Sequence, residues 1–266
     1  MSLEHHHNPV VRYQQQVDNS REYLLPFLEA STPVTNKTKV LEIGTGEGGV
    51  LVPFLERKAY CVGVDLDVAR IVLAKEFVPN YDQQQQVLFT TQNVYDKDFE
   101  AQYQGFFDII ILKDVIEHIP NQEAFISYIK TLLAQDGQIF FGFPPWYMPF
   151  GGHQQVCASK WASKLPWYHI LPKPVYRGIL KMACETDGKI EELMEIKDTR
   201  ISIERFERIV RKSDLQILRK QPYLINPIYR YKFGLKPRKQ WPPLMWLPFF
   251  RNFVTTCIYY SVGKKK

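Results

Sequence analysis

Between residues 39 and 143 the chain alternates short apolar runs with helix-periodic stretches, and few folds accept that alternation. "KVLEI" (39–43), "AYCVGVD" (59–65), "QVLFTT" (86–91), "FFDIIIL" (106–112) and "GQIFFGF" (137–143) read as strands. Their apolar character is nearly continuous rather than alternating, as expected of strands covered on both faces of a parallel sheet. Helical spacing fills the gaps at about 48–58, at 68–77 ("VARIVLAKEF") and at 121–134. Strand and helix in repeated succession predict a doubly wound α/β sheet with right-handed crossovers. An amphipathic helix is predicted over 12–30, ahead of the first strand.

Past Pro144 the pattern changes. "PPWYMPFGGHQQ" (144–155) reads as loop, and 157–200 as short helices and turns forming a cap. "ISIERFERIVRKSD" (201–214) returns to helix, with Ile203, Phe206, Ile209 and Val210 on one face and Ser202 as N-cap. "LQILRKQ" and "TTCIYYSVG" are the last strands, separated by an aromatic, basic insertion over 222–252. The expected plan is an N-terminal helical segment over 1–36 and one domain over 37–266, with 144–200 and 222–252 as cap and acceptor insertions. The glutamine run at 83–86 is expected to be a solvated loop.

Four cysteines far apart (Cys61, Cys157, Cys184, Cys257) form no CxxC pair, so neither a zinc site nor a disulfide framework is expected, and a cytoplasmic compartment is the simplest. The opening "MSLEHHH" lacks the apolar stretch of a signal peptide, and its histidines, native or a cloning scar, are given no site role. "WPPLMWLPFF" is too short and proline-rich to span a bilayer. The net charge of +6 favours an anionic substrate, a membrane surface or nucleic acid over a cationic partner.

The sharpest motif is "VLEIGTGEGG" at 40–49, glycines 44, 46 and 48 directly after a strand. Such a loop is built for close backbone approach by a ligand. A phosphate-gripping GxxxxGK[ST] loop is ruled out, because Val50 follows Gly49. "GTGEGG" does match the dinucleotide string GxGxxG. Glu42, however, stands two residues before Gly44, where a carboxylate would repel a pyrophosphate and suit a cationic amino group.

"EIGTGEGG", then "VGVD" (62–65), "TTQNVYD" (90–96) and "FDIIILKDVIEHI" (107–119), in this order, resemble the class I S-adenosylmethionine-dependent methyltransferases over about 39–143. The resemblance implies a Rossmann-like, seven-stranded sheet whose last strand is antiparallel, a helical cap, and S-adenosylmethionine as cofactor. It implies that Glu42, Gly44, Thr45, Gly46 and Gly48 accommodate the methionine and ribose part. Asp65 and Leu66 would follow at the ribose, Asn93 and Val94 at the adenine, with Lys113 and Asp114 at the junction with the methyl acceptor. Helix capping is the competing reading for Asp65, with Asp67 the better cap. For Asn93 the competitor is a turn asparagine. Tyr95 merely covers the site, His118 closes a loop, and Tyr13 and Gln16 either fold over the cofactor or pack and solvate.

The acceptor side is less marked. Gly151 and Gly152 would turn the chain and present His153, which as a base titrating near neutrality could take a proton from a hydroxyl acceptor; a loop histidine bonded to a carbonyl is the equal alternative. Trp146, Tyr147 and Phe150 would wall the acceptor pocket. No metal is expected. Aromatics among cations in 222–252 would suit a small-molecule, glycan or lipid-linked acceptor, with room for peripheral membrane contact. Nucleic acid is not expected, since no RNA-binding module is present and the place of the D/N-P-P-Y/F string reads "KDVI". Methylation on oxygen is the expected reaction. The competing functions are a nicotinamide-dependent oxidoreductase and a non-catalytic cofactor-binding scaffold.

Overall fold

A computed structural model describes residues 8–78, 81 and 85–265; the N-terminal histidines and residues 83 and 84 of the glutamine run lie outside the described residues. The strands are β1 (Lys39–Ile43), β2 (Tyr60–Val64), β3 (Val87–Thr90), β4 (Phe107–Lys113), β5 (Leu133–Phe143), β6 (Leu215–Ile225), β7 (Arg238–Lys239) and β8 (Cys257–Lys264). They lie in the order β3-β2-β1-β4-β5-β8-β6-β7. β1 to β5 run parallel, and β8 is antiparallel to both β5 and β6. Seven strands are expected from the sequence and eight are present. The extra one, β7, pairs antiparallel with β6 at Tyr223 and Ile225; at two exposed basic residues it is too short to show a period.

The helices are α1 (Pro9–Asn19), α2 (Leu25–Glu29), α3 (Val52–Glu56), α4 (Val68–Phe77), α5 (Lys97–Tyr103), α6 (Gln122–Leu132), α7 (Lys173–Met182), α8 (Asp187–Thr199), α9 (Ile203–Lys212), α10 (Tyr229–Phe233), α11 (Pro242–Met245) and α12 (Phe250–Phe253). A π-helical turn over Ser20–Leu24 joins α1 to α2. Asn8 caps α1 by accepting from the amides of Val10 and Val11, and Ser202 caps α9 by accepting from Arg205. α5 is not anticipated in the sequence, and the 157–200 cap holds two full helices instead of short pieces.

Alternate residues of the central strands feed two cores. Leu41, Ile110, Leu112 and Phe141 join α6 and the Phe206 face of α9 on one side of the sheet. Val40, Ile109, Ile111 and Phe140 join α1, α2 and α3 on the other. A third, smaller core under α7 and α8 (Tyr176, Leu180, Ile190, Leu193) gives the cap a packing centre of its own.

The strand order reverses beside β1, between β2 and β4, which opens a crevice at the carboxyl edge of the sheet. The 144–200 segment leaves β5 at that edge. The 226–256 segment leaves the end of β6 there and returns as β8 opposite Tyr223. Both insertions therefore stand over the crevice.

Candidate active site

The glycine loop's own hydrogen bonds limit what it can grip. The amides of Gly44 and Thr45 both donate to Val64 O, at 2.8 and 3.0 Å, and Gly48 N donates to Thr45 O at 3.0 Å. Gly46 N donates to Asp65 Oδ2 at 2.9 Å. A pyrophosphate would need such N–H groups free, and these four are taken. Gly44, Gly46 and Gly48 all have positive φ, and a Cβ on Gly44 would stand 2.6 Å from Val115. Gly48 serves packing: a Cβ there would strike the Phe89 ring at 2.8 Å.

Over this loop α1 lies as a strap. The Arg12 guanidinium pairs with the buried Glu47 carboxylate, and Gln16 reaches the same group. Tyr13 turns away, its ring 5.0 Å from Phe77 and its hydroxyl donating to Phe77 O. The Arg12–Glu47 clamp was missed in the sequence, although a glutamate among glycines was its visible half.

Beside the loop opens a cleft of about 470 Å³ lined by Gly44, Asp65, Leu66, Asn93, Val94 and Asp114, with Arg70, Tyr95 and His118 added to the expected set. Asp65 is half-buried, and its Oδ1 accepts from Asp67 N at 3.0 Å. Asp67, as expected, caps α4 through Ala69 N. Asn93 holds a turn through Tyr95 N while also lining the cleft, so its two readings coexist. The cleft size suits a nucleoside-sized ligand. Its lone arginine leans on Asp67, so no cation cluster awaits phosphates.

Glu42 departs from expectation. It is buried under the loop, accepts from Thr45 Oγ1 at 2.8 Å, and does not line the cleft. Burial pushes its carboxyl up to about 8, so at neutral pH it is a protonated prop for the loop. Thr45 is likewise buried beside it.

Asp114 has positive φ and projects into the cleft, paired with Lys113. Desolvation raises the Asp114 carboxyl, but the Lys113 ammonium, followed by Lys232 and His153, holds it below its ordinary value. Asp114 also borders a second cavity of about 230 Å³, with Phe150, His153, Met148, Tyr229 and Lys232. The two cavities thus meet at one carboxylate.

His153 faces the second cavity at positive φ, its ring 5.0 Å from His118 and its Nε2 3.7 Å from Glu117 Oε1. It does not titrate near neutrality: burial, then His118, push it down to about 4. Glu117 is buried with neither carboxylate oxygen hydrogen-bonded, and burial followed by Asp114 raises it well above the carboxylate range. No metal site is expected from the sequence, yet Glu117, His118 and His153 offer ligand atoms within 4.8 Å of one another.

Two expected wall residues lie elsewhere. Trp146 is buried in the cap, edge-on to His169 at 4.6 Å, because its amide is tied to Ile201 O. Tyr147 packs on Phe253 at 5.4 Å. Phe150 does line the cavity, and Met148 and Tyr229 take the vacant places.

Residues 12–173 match the family model of a methyltransferase domain, more than half of the chain. The chain belongs to this family. It is a class I, S-adenosylmethionine-dependent methyltransferase by family and by fold. Among similar proteins are the ubiquinone biosynthesis O-methyltransferases of Aromatoleum aromaticum, 27% identical over 44% of this chain and 48% of that protein, and of Acinetobacter baylyi, 29% identical over 39% and 42%. The chain spans about half the length of the curated relatives it matches. Among solved structures, a putative sarcosine dimethylglycine methyltransferase from Galdieria sulphuraria aligns with TM-score 0.60 at 12% identity, covering 92% of this chain and 85% of that one. Magnesium protoporphyrin IX methyltransferase from Synechocystis, with S-adenosylhomocysteine bound, aligns with TM-score 0.53 at 16% identity over 96% and 84%. These last two share the methyltransferase's fold.

Proposed function

We propose that this methyltransferase moves the methyl group of S-adenosylmethionine to a hydroxyl of a small-molecule acceptor. The observation that carries the reading is the meeting of the two cavities at Asp114. Asp65 would hold the ribose hydroxyls, Asn93 and Val94 the adenine, and Gly44 and Leu66 the remaining contacts of the cofactor. When bound, S-adenosylmethionine supplies an electrophilic methyl carbon on a sulfonium, which is already a good leaving group.

The chain's own work is alignment and proton handling. Neutral His153 accepts the acceptor's proton, and the Asp114 carboxylate, which borders the same cavity, favours the imidazolium that forms. Phe150, Met148 and Tyr229 exclude water from the acceptor. The division at residue 36, with 144–200 and 222–252 furnishing the acceptor side, belongs to the same proposal, as does a cytoplasmic location.

Oxygen as target is supported by the O-methyltransferase relatives. A lipid-linked acceptor has one observation in its favour: Trp241, Trp246, Leu247, Phe249 and Phe250 are all at least half exposed, on an insertion rooted at the carboxyl edge. Among the described residues no helix is long and apolar enough to cross a membrane, so such contact would be peripheral. Sedimentation with anionic vesicles, lost in Trp246→Ser, would support it; no sedimentation would remove it.

The test of the main reading is calorimetric titration with S-adenosylhomocysteine and, separately, NADH. Micromolar binding of the former alone is expected. Binding of NADH alone would overturn the reading in favour of an oxidoreductase.

A further inference from the structure

Lys232 sits on α10 and lines the second cavity together with Asp114, His153 and Phe150. Among the described residues no ion pair or hydrogen bond holds its ammonium. The cations that act on it are themselves engaged, Lys113 with Asp114 and Arg12 with Glu47, as is Arg230 on its own helix with Glu22. A partly buried cation with no ion-pair or hydrogen-bond partner is costly, and folds rarely keep one without use.

Nor does Lys232 sit there by looseness of its helix. α10 is tied to α1 and the π-helical turn by Arg230–Glu22, by Tyr231 Oη donating to Asp18 O at 3.3 Å, and by Gln15 Nε2 donating to Tyr231 O at 3.4 Å. The charges around the cavity leave it positive. Lys113 pairs with Asp114, and burial disfavours the charged form of Glu117, His118 and His153 alike. Burial and then Lys113 lower the Lys232 ammonium, and the attraction of Asp114, already paired with Lys113, does not make up the difference.

We propose that the methyl acceptor carries an anionic oxygen group, carboxylate or phosphate, bound by Lys232 while its hydroxyl faces His153. This rests on the methyltransferase reading. At about 230 Å³ the cavity lies below the range of drug-sized ligand sites, so it would admit one small ring or the reactive end of a longer molecule. Asn226 and Thr256, on the same wall, offer the rest of the acceptor neutral polar contacts.

The test uses protein saturated with S-adenosylhomocysteine, titrated with 4-hydroxybenzoate, 4-hydroxyphenyl phosphate and the neutral 4-hydroxybenzamide. At least one anion should bind about tenfold or more tighter than the amide. Lys232→Met should erase that difference and leave the affinity for S-adenosylhomocysteine unchanged. The anion that gains more distinguishes carboxylate from phosphate. Equal affinities, no binding of either anion, or a difference that survives Lys232→Met would overturn the proposal. So would weakened S-adenosylhomocysteine binding in the variant, which would give the ammonium to the cofactor's own carboxylate.

Thermal unfolding is a second readout. Relieved of a desolvated cation that no ion pair or hydrogen bond holds, Lys232→Met should melt about 2 °C or more higher; a lower Tm would mean that the attraction of Asp114 already satisfies the ammonium within the fold and would sink the assignment. Wild-type protein that binds no S-adenosylhomocysteine at all would instead take down the methyltransferase reading, and this proposal with it.

Discussion

Asp65 is the residue on which the cofactor reading depends most, and its replacement by alanine has a calculable outcome. Its two carboxylate oxygens each accept one backbone amide, Gly46 N at 2.9 Å and Asp67 N at 3.0 Å. A carboxylate has about four lone-pair positions, so two remain for the ribose hydroxyls. Hydrogen bonds to a charged group contribute roughly 1.5–3 kcal/mol. One well-formed bond, or two weaker ones, gives a loss of about 2–3 kcal/mol, roughly 30- to 150-fold in Kd. Loss of the two loop anchors adds about 1 kcal/mol or more to the cost in fold stability, moderated because both amides can reach water.

Calorimetry with S-adenosylhomocysteine measures the first quantity and thermal melting the second. The decisive arm repeats the titration with an analogue lacking both ribose hydroxyls. If Asp65 holds the ribose, wild type loses affinity for the analogue and Asp65→Ala does not lose further, a non-additive cycle. Affinity within threefold of wild type in Asp65→Ala, or full additivity with the analogue, refutes the ribose role and leaves Asp65 a loop anchor.

The remaining predictions concern buried charge. The Glu42 carboxyl is raised to about 8, so its contribution to stability is fully present below its ordinary value near 4.5 and is lost as pH rises through 8. Glu42→Gln keeps an acceptor for Thr45 and should melt about 2–4 °C higher than wild type at pH 8.5, with little difference at pH 4.5; equal melting at both ends would contradict this. His153→Ala should cut turnover about 100-fold or more with S-adenosylhomocysteine affinity unchanged. Because the His153 ring is depressed to about 4, its inflection in the pH–rate profile belongs near 4, and one at 6.5 that vanishes in the variant would show the ring to be solvated. Arg251 is buried against Glu204 at 2.8 Å and Glu207 at 3.1 Å, pinning the 241–253 segment to α9. Arg251→Met should cost about 3–5 kcal/mol and open that segment to protease; unchanged melting would make the pairs ornamental.

The sheet was legible because parallel strands must be apolar on both faces, and a run such as "FDIIILK" has few other uses; Asp67 and Ser202 cap where their side chains say they should. The cleft beside the glycine loop was legible for a related reason. It is built from contiguous strand ends and the turns that follow them, so Gly44, Asp65, Leu66, Asn93, Val94 and Asp114 each appear next to a recognisable strand and converge on one cleft. Local pattern could not say which way a side chain points from a loop. Trp146 was buried against His169 with its amide bonded to Ile201, 55 residues away in the chain, and Glu42 was sealed under the loop it precedes.

The acceptor half fails the same criterion throughout. Its wall is assembled from "PFGGHQ", from α10 and from Thr256 just before β8, the first more than 70 residues from the other two, and their juxtaposition follows from β8 lying between β5 and β6 in the sheet. Lys232 in "YRYKFG" therefore looks like one more solvated lysine in a basic stretch. The ties of Arg230 to Glu22, of Tyr231 to Asp18 and of Gln15 to Tyr231 hold α10 where Lys232 lines one cavity with Asp114 and His153. On the proposed reading, acceptor specificity is a property of the insertions' anchoring as much as of their composition. A change at Glu22, on the far side of α10 from the acceptor, should then weaken recognition of an anionic acceptor by freeing Lys232 from its place, without touching cofactor affinity. Glu22→Ala, tested with the same anion and amide pair, would show a reduced anion preference if that reasoning holds. An undiminished preference would mean that α10 is positioned by its packing alone.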